Sequence, residues 1–184
     1  GFDVAAVAKV VNRKNFKFEL GGSMGHYKNE ITQLPGGVPS IEANYYNGTI
    51  LTAVGSPLGV FYGYQTNGVY STTADAQADN LGILDKAGNK VNFSAGDMRF
   101  VDQNGDKIIS DADRVVIGDP NPDIYGNIHA NFHFGKAVSL ALNFNYSLGN
   151  DIYNYQRSIL EGGSEFLNQT TAVCRRWIAE GQQT

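Results

Sequence analysis

At 184 residues the chain suits one domain or a piece of a larger one. Its net charge of -4 offers no basic stripe of the kind nucleic acid requires, so that class of partner drops out. Twenty-two Gly, ten Tyr and ten Phe beside only 17% charged residues describe a turn-rich, aromatic-rich β protein.

No run of apolar residues is long enough for a transmembrane helix, but barrel strands carry apolar residues only at alternate positions and escape that test. Cys174 is the single cysteine, which rules out a disulfide framework and reads as a thiol of little consequence. No secretion signal stands at Gly1 and neither end coincides with a visible boundary, as expected either of an engineered fragment or of a piece cut from a longer polypeptide.

Residues 2–11 and 16–27 are the first predicted strands, flanking the polar turn Asn12-Arg13-Lys14-Asn15. In the second, Phe16, Phe18, Leu20 and Met24 alternate with Lys17, Glu19 and Ser23. A long segment, 28–123, follows. Within it, residues 44–50 and 60–70 read as short strands around the Gly/Pro turn Gly55-Ser56-Pro57-Leu58-Gly59, and 72–89 carries the weakest structural signal.

Residues 102–113 place oxygen side chains at the first, third, fifth, ninth and twelfth positions of a calcium loop: Asp102, Asn104, Asp106, Ser110 and Asp113, with the Ile108 carbonyl at the seventh. Ca²⁺ takes roughly six to eight oxygen ligands at about 2.3–2.6 Å, which one such loop supplies. Two positions depart from the pattern. Lys107 stands where Gly makes the sharp turn, and the last ligand is Asp instead of the longer Glu. The other reading of the segment is an acidic Asn-Gly turn that bonds its own backbone and binds nothing.

Alternation returns at Ile128, Ala130, Phe132 and Phe134, opposed to Asn127, His129, Asn131 and His133. Gly135-Lys136-Ala137 makes a hairpin turn to 138–148, where Val138, Leu140, Leu142, Phe144, Tyr146 and Leu148 share one face and Ser139, Ala141, Asn143, Asn145 and Ser147 the other. Strands of about ten residues with one apolar and one polar face suit a tilted transmembrane barrel, and equally a half-exposed sheet of a soluble sandwich. The short turns and very long intervening segments favour the barrel, whose outer loops are long.

The assembled segments resemble the late barrel region of SusC/RagA-type TonB-dependent outer-membrane transporters, nutrient importers of Bacteroidetes. The similarity lies in Asn15-Phe16 with Lys28-Asn29-Glu30-Ile31-Thr32-Gln33-Leu34, in Gly55-Ser56-Pro57-Leu58-Gly59-Val60-Phe61-Tyr62-Gly63-Tyr64, and in Gly96-Asp97-Met98-Arg99-Phe100-Val101-Asp102. It continues through Asp113-Arg114-Val115-Val116-Ile117-Gly118-Asp119-Pro120-Asn121-Pro122, Gly149-Asn150-Asp151-Ile152-Tyr153-Asn154-Tyr155 and Arg176-Trp177. The resemblance implies an all-β fold, a segment of a large antiparallel transmembrane β-barrel of about 22 strands with long extracellular loops. Residues 1–27 and 124–148 are then strand hairpins, and 28–123 and 149–184 are extracellular loops. The plug and final strands lie outside the chain. Implied partners are a SusD-like lipoprotein lid, the TonB complex acting through the missing N-terminal part, outer-membrane lipid, and a glycan or peptide cargo.

His129 and His133 stand four apart on one strand face, about 13 Å, too far to share a metal, and read as lumen residues that can touch substrate. The aromatic cluster Tyr45, Tyr46, Phe61, Tyr62, Tyr64 and Tyr70 can stack on sugar rings or pack within its loop; Tyr62 and Tyr64 are taken as its substrate-contact candidates. Asp123, Asp151 and Glu161 form no paired-carboxylate context, and no nucleophile elbow is present, so no catalytic residue is assigned. The alternative function is a soluble extracellular β module, stabilised by calcium and binding carbohydrate.

Overall fold

A side-chain period of two places every second residue on one face of a pleated strand, so the alternating segments of this chain dictate a sheet with unlike faces. The structure is a computed structural model that describes residues 1–163 and 166–183; positions 164–165 and 184 of the expected last loop lie outside the described residues. In chain order the elements are β1 (Phe2–Arg13), β2 (Phe16–His26), β3 (Ser40–Tyr45), β4 (Gly48–Ala53), β5 (Val60–Tyr64), β6 (Thr66–Val69), α1 (Thr73–Asp79), β7 (Gly82–Leu84), β8 (Lys90–Asn92), β9 (Met98–Phe100), β10 (Arg114–Gly118), β11 (Ile124–Phe134), β12 (Val138–Leu148) and α2 (Tyr155–Gly162). The chain divides into two compact units. One comprises Gly1–Ile41, Thr52–Val60 and Gly118–Ile152, and the other Glu42–Leu51, Phe61–Ile117 and Tyr153–Thr184.

The first unit is an antiparallel sheet in the order β1-β2-β11-β12. Its register sets Phe132 opposite both Phe18 and Leu140, and Ala130 opposite both Leu20 and Leu142, so these share one face. His129 opposes Gly21 and Asn143, and Asn131 opposes Glu19 and Ala141, on the other. Aromatic pairs cross the apolar face: the Phe18 and Phe132 rings stack 4.6 Å apart, and Phe16 meets Phe134 at 5.3 Å. This face is not covered. Val4, Leu20, Ile128, Phe134 and Leu140 are exposed, and Phe144 is 63% exposed.

The expected four-residue turn at 12–15 is shorter in the structure. Asn12 pairs with Lys17 and Arg13 with Phe16, leaving a two-residue turn at Lys14-Asn15. Polar residues at a strand end do not stop the ladder, because its hydrogen bonds belong to the backbone. A bulge between Lys9 and Val11 shifts the register, so that Val11 opposes Phe18. The Gly135 N–H donates to the Asn15 carbonyl at 2.8 Å, placing both tight turns at one end of the sheet. The long segments therefore leave from the other end, and β2 and β11 are neighbours although nearly a hundred residues separate them. Two glycines fit the sheet's close contacts: a Cβ at Gly21 would collide with the His129 ring, and one at Gly126 with the Ser23 carbonyl.

The start and end of the long segment are tied together within this unit by side-chain amides. Asn29 Nδ2 donates to Asn121 Oδ1 at 3.0 Å while Asn29 Oδ1 accepts from Leu58 N–H at 2.7 Å. Asn121 Nδ2 donates to the Leu58 carbonyl and to Asp119 Oδ1, and the Asp151 carboxylate accepts from Asp119 N–H. Hydrogen bonding thus accounts for the conspicuous Asn and Asp of those motifs.

The second unit contains most of a sheet in the order β10-β5-β4-β3, the small pairs β6-β9 and β7-β8, and both α-helices. Three expectations are corrected. Residues 44–50 are the two sides of a hairpin, not one strand: Tyr46 and Asn47 turn the chain with φ of 47° and 64°, and Gly48 begins β4. A two-residue hairpin turn needs positive φ at both central positions, a demand stronger than the apparent continuity of the segment. Residues 60–70 divide into β5 and β6, which pair with different partners, and Gly68 is bent to φ 76°. Residues 72–89 are ordered by caps instead of periodicity. The Thr72 hydroxyl accepts from Asp75 N–H, Asn80 closes α1 at φ 51°, and Asp85 Oδ1 accepts from the N–H groups of Ala87 and Asn89 in the β7–β8 turn.

Tyr70, Ala76, Leu81, Ile109 and Asp113 are buried in this unit. The Tyr70 hydroxyl donates to Asp79 at 3.2 Å, Arg99 bridges Asp79 at 2.8 Å, and the Arg99 guanidinium lies over the Tyr70 ring at 5.6 Å. Burial, and then the Asp79 carboxylate, pushes the Tyr70 phenol up to about 12.

Candidate functional site

Central strands β4 and β5 carry Gly48 to Ile50 and Phe61 to Tyr64 side by side, and their edge neighbours add Tyr45 and Arg114. Together with Tyr153 and Tyr155 at the start of α2, these residues enclose a cleft of about 800 Å³, all of it within the second unit. That size falls inside the roughly 300–1,000 Å³ of small-ligand sites. Its walls are rich in aromatic side chains. Tyr45 and Tyr46 meet edge to face at 4.3 Å, and Tyr46 lies 4.5 Å from Tyr155, yet Tyr45 and Tyr46 remain 58% and 53% exposed.

The polar groups of the cleft are few and mutually engaged. Arg114 donates to Glu42 at 3.0 Å, lies 3.9 Å from Asp111 and covers the Tyr62 ring at 4.6 Å. Tyr64 donates to Asp111 at 3.3 Å; burial, followed by the Asp111 charge, holds its phenol above the ordinary range. Tyr153 donates to the Tyr46 carbonyl at 2.9 Å and so braces the hairpin tip. A bulky residue in the left-handed region costs roughly 1–2 kcal/mol, so Tyr46 is held in a conformation that Asn or Gly would adopt more easily.

Tyr62 and Tyr64, the sequence candidates, thus line a real cleft. Asp111, Arg114, Tyr153 and Tyr155 join them, although sequence reasoning gave these four no part in it. The closely spaced tyrosines of Tyr153-Asn154-Tyr155 were the one available signal; nothing local tells that β10 would lie beside β5. His129 and His133 belong to the first unit, on its polar face, where His129 Nδ1 meets Asn127 Oδ1 at 3.2 Å and His133 Nδ1 meets Ser139 Oγ at 2.9 Å.

The acidic loop folds on its own hydrogen bonds. Asp102 Oδ1 accepts from Gly105 N–H at 2.7 Å and Oδ2 from Lys107 N–H at 3.0 Å, Asn104 Oδ1 from Asp106 N–H, and Asp106 Oδ1 from Ile108 N–H. Asp113, wholly buried, accepts from Gln103 N–H through Oδ1 and from Ser110 N–H through Oδ2. Burial raises the Asp102 carboxyl, but the Lys107 and Gly105 N–H groups and the Lys107 charge outweigh it and hold it below the usual carboxylate range. Lys107 takes the turn demanded of the sixth position at φ 66°, and Gly105 lies at φ 80°. The donor set fits a hard cation in chemistry and turn, since each carboxylate oxygen has a second lone pair. It is not a preformed cage: among the described residues, no three His, Cys, Asp or Glu side chains converge as a metal cluster.

No family model matches the chain. Three curated proteins of Formosa agariphila are similar to it along essentially its whole length. They are TonB-dependent receptor P3 (28% identical, all of this chain and 18% of the relative), TonB-dependent receptor P39 (29%, all of this chain and 20% of the relative) and TonB-dependent receptor P26 (26%, 98% of this chain and 18% of the relative). The chain spans about a fifth of these relatives. Among solved structures, the RagAB peptide importer in its closed-closed state superposes with a TM-score of 0.63 at 19% identity, over 99% of this chain and 20% of that one. The resemblance to part of a SusC/RagA-type transporter is supported by these comparisons, and the antiparallel β fold is that of a segment of such a barrel protein. All four names are those of receptors or an importer, and none is that of an enzyme.

Proposed function

We propose that this chain is part of the outer-membrane barrel of a TonB-dependent nutrient importer that takes up a glycan or an oligopeptide. One observation carries the reading: the β1-β2-β11-β12 sheet has an uncovered apolar face, a polar face, and tight turns at one end only. Strands of 11 or 12 residues are long enough, when tilted, to cross a hydrocarbon core of roughly 30 Å. Phe132, Leu140, Leu142 and Phe144 then meet lipid, while Glu19, His129, Asn131 and Asn143 face a watery lumen where the two histidines touch passing cargo. The outer edges of β1 and β12 have no partner among the described residues, and a membrane requires that further strands pair them.

In this reading the segments 28–123 and 149–184 are extracellular and meet a SusD-like lipoprotein lid, and TonB acts through parts of the polypeptide outside this chain. A soluble calcium-stabilised carbohydrate module is the weaker reading, since the curated relatives similar along the whole chain are named as TonB-dependent receptors. The acidic loop enters as an outer structural element that binds Ca²⁺ through Asp102, Asn104, Asp106, the Ile108 carbonyl, Ser110 and Asp113, in the ~10⁻⁴–10⁻³ M range of extracellular modules.

Cysteine labelling in outer membranes carrying the full-length protein tests the facing. Phe144→Cys should react with a membrane-soluble maleimide and Asn143→Cys with a water-soluble one; the reverse pattern would overturn the barrel reading. Calorimetry tests the cation. Heat on adding millimolar Ca²⁺, lost in Asp102→Asn with Asp106→Asn, is expected; no heat up to several millimolar would leave the segment as a self-bonded turn.

A further inference from the structure

We infer that the tyrosine cleft at the β3–β4 hairpin is a binding site for a neutral oligosaccharide, with Tyr46 and Tyr155 as its stacking platform and Asp111 and Arg114 as hydrogen-bonding partners for sugar hydroxyls. This deepens the importer reading and rests on it for the fate of the ligand; the binding chemistry itself rests on the cleft.

Three features select this class of ligand. Aromatic side chains are presented to solvent: Tyr45 and Tyr46 are more than half exposed, although Tyr46 already touches both Tyr45 and Tyr155. A pyranose has an apolar face of C–H groups rimmed by hydroxyls, which suits an aromatic wall with polar groups at its edge. Arg114 is bridged to Glu42 and close to Asp111, so the site offers no free cation for a carboxylate. Asp111 nevertheless keeps its side chain 91% exposed, available to accept from hydroxyls.

A peptide is disfavoured by the backbone. Peptides that bind through their main chain add to a free sheet edge. Here β4 and β5, which supply much of the cleft, are the two central strands of their sheet, with strand neighbours on both sides. What the cleft presents is side chains.

The hairpin tip supplies the last support. Asn or Gly would suit the left-handed position at 46, and a tyrosine there is held by its ring contacts and by the Tyr153 hydroxyl on its carbonyl. Strained residues of this kind collect at ligand clamps. Tyr46→Asn therefore separates binding from folding, because it relaxes the turn while removing the platform.

The test uses the full-length receptor in detergent with cellohexaose, xylohexaose, laminarihexaose and mannohexaose as probes, and a glycine-alanine decapeptide beside them, followed by calorimetry. At least one hexasaccharide should bind, and Tyr46→Asn should weaken it tenfold or more while raising the melting temperature. Tyr155→Ala should weaken the same saccharide. Binding of none of the four, binding unchanged in Tyr46→Asn, or binding of the decapeptide alone would overturn the inference. Uptake separates the two readings: saccharide binding without proton-motive-force-dependent accumulation in cells would sink the importer and leave the site. Energy-dependent uptake of a nutrient with no saccharide bound at the cleft would do the opposite.

Discussion

The two units of this chain are both built of β-strands but are stabilised in opposite ways. In the β1-β2-β11-β12 sheet, each residue's face follows from a ladder of unbroken register, with one bulge in β1, and the apolar residues point away from the unit. In the second unit the strands are mostly short, the apolar residues turn inward around Tyr70, and much of the order comes from single hydrogen bonds at caps and turns. A periodic pattern thus serves a sheet whose two faces differ in polarity. A unit that closes around its own small core is instead specified by individual contacts.

The contrast can be broken from either side. Replacing the buried Tyr70 by Ala should destabilise the second unit by about 3–5 kcal/mol, through the cavity and the lost Asp79 bond, with β11 and β12 amides still protected in hydrogen exchange. Simultaneous loss of protection in both units would mean that they unfold as one. On the other side, Leu142→Arg should impair assembly of the full-length barrel by about 2–4 kcal/mol at mid-bilayer, and Asn143→Arg much less. Equal defects in folding into lipid vesicles would contradict the assigned faces.

A smaller and opposite effect is expected at Lys107. With φ at 66°, Lys107→Gly should stabilise the acidic loop by about 1 kcal/mol, measured as slower exchange of the Ile108 and Ile109 amides. If Ca²⁺ binds there, loss of the positive charge should also tighten it. pH supplies the finest comparison. Tyr70, raised to about 12, keeps its proton in the folded state after the unfolded chain has released it. Its stabilising effect is present below pH ~10 and lost as pH rises towards about 12. Asp102 is depressed, so its contribution is present above the unfolded value of about 3.9 and lost on acidification below it. Alkali should therefore loosen amides around Tyr70, and acid those of 102–107.

Alternation in the sequence alone determined the two hairpins, the assignment of Phe132, Leu140 and Leu142 against His129 and Asn143, and the tight turn at Gly135-Lys136-Ala137, because side-chain period and backbone pleat are the same physical fact. Local chemistry likewise marked the oxygen-rich loop 102–113, whose carboxylates do turn inward onto its own N–H groups. Strand limits near Arg13 and the turn at Tyr46-Asn47 were misplaced, since pairing and handedness, not polarity, decide where a ladder stops. Only the tertiary structure joined Tyr62 and Tyr64 to Tyr46, Arg114 and Tyr155, residues that lie up to 109 positions apart (155 against 46). Their meeting depends on the strand order β10-β5-β4-β3, a long-range pairing that no local pattern encodes.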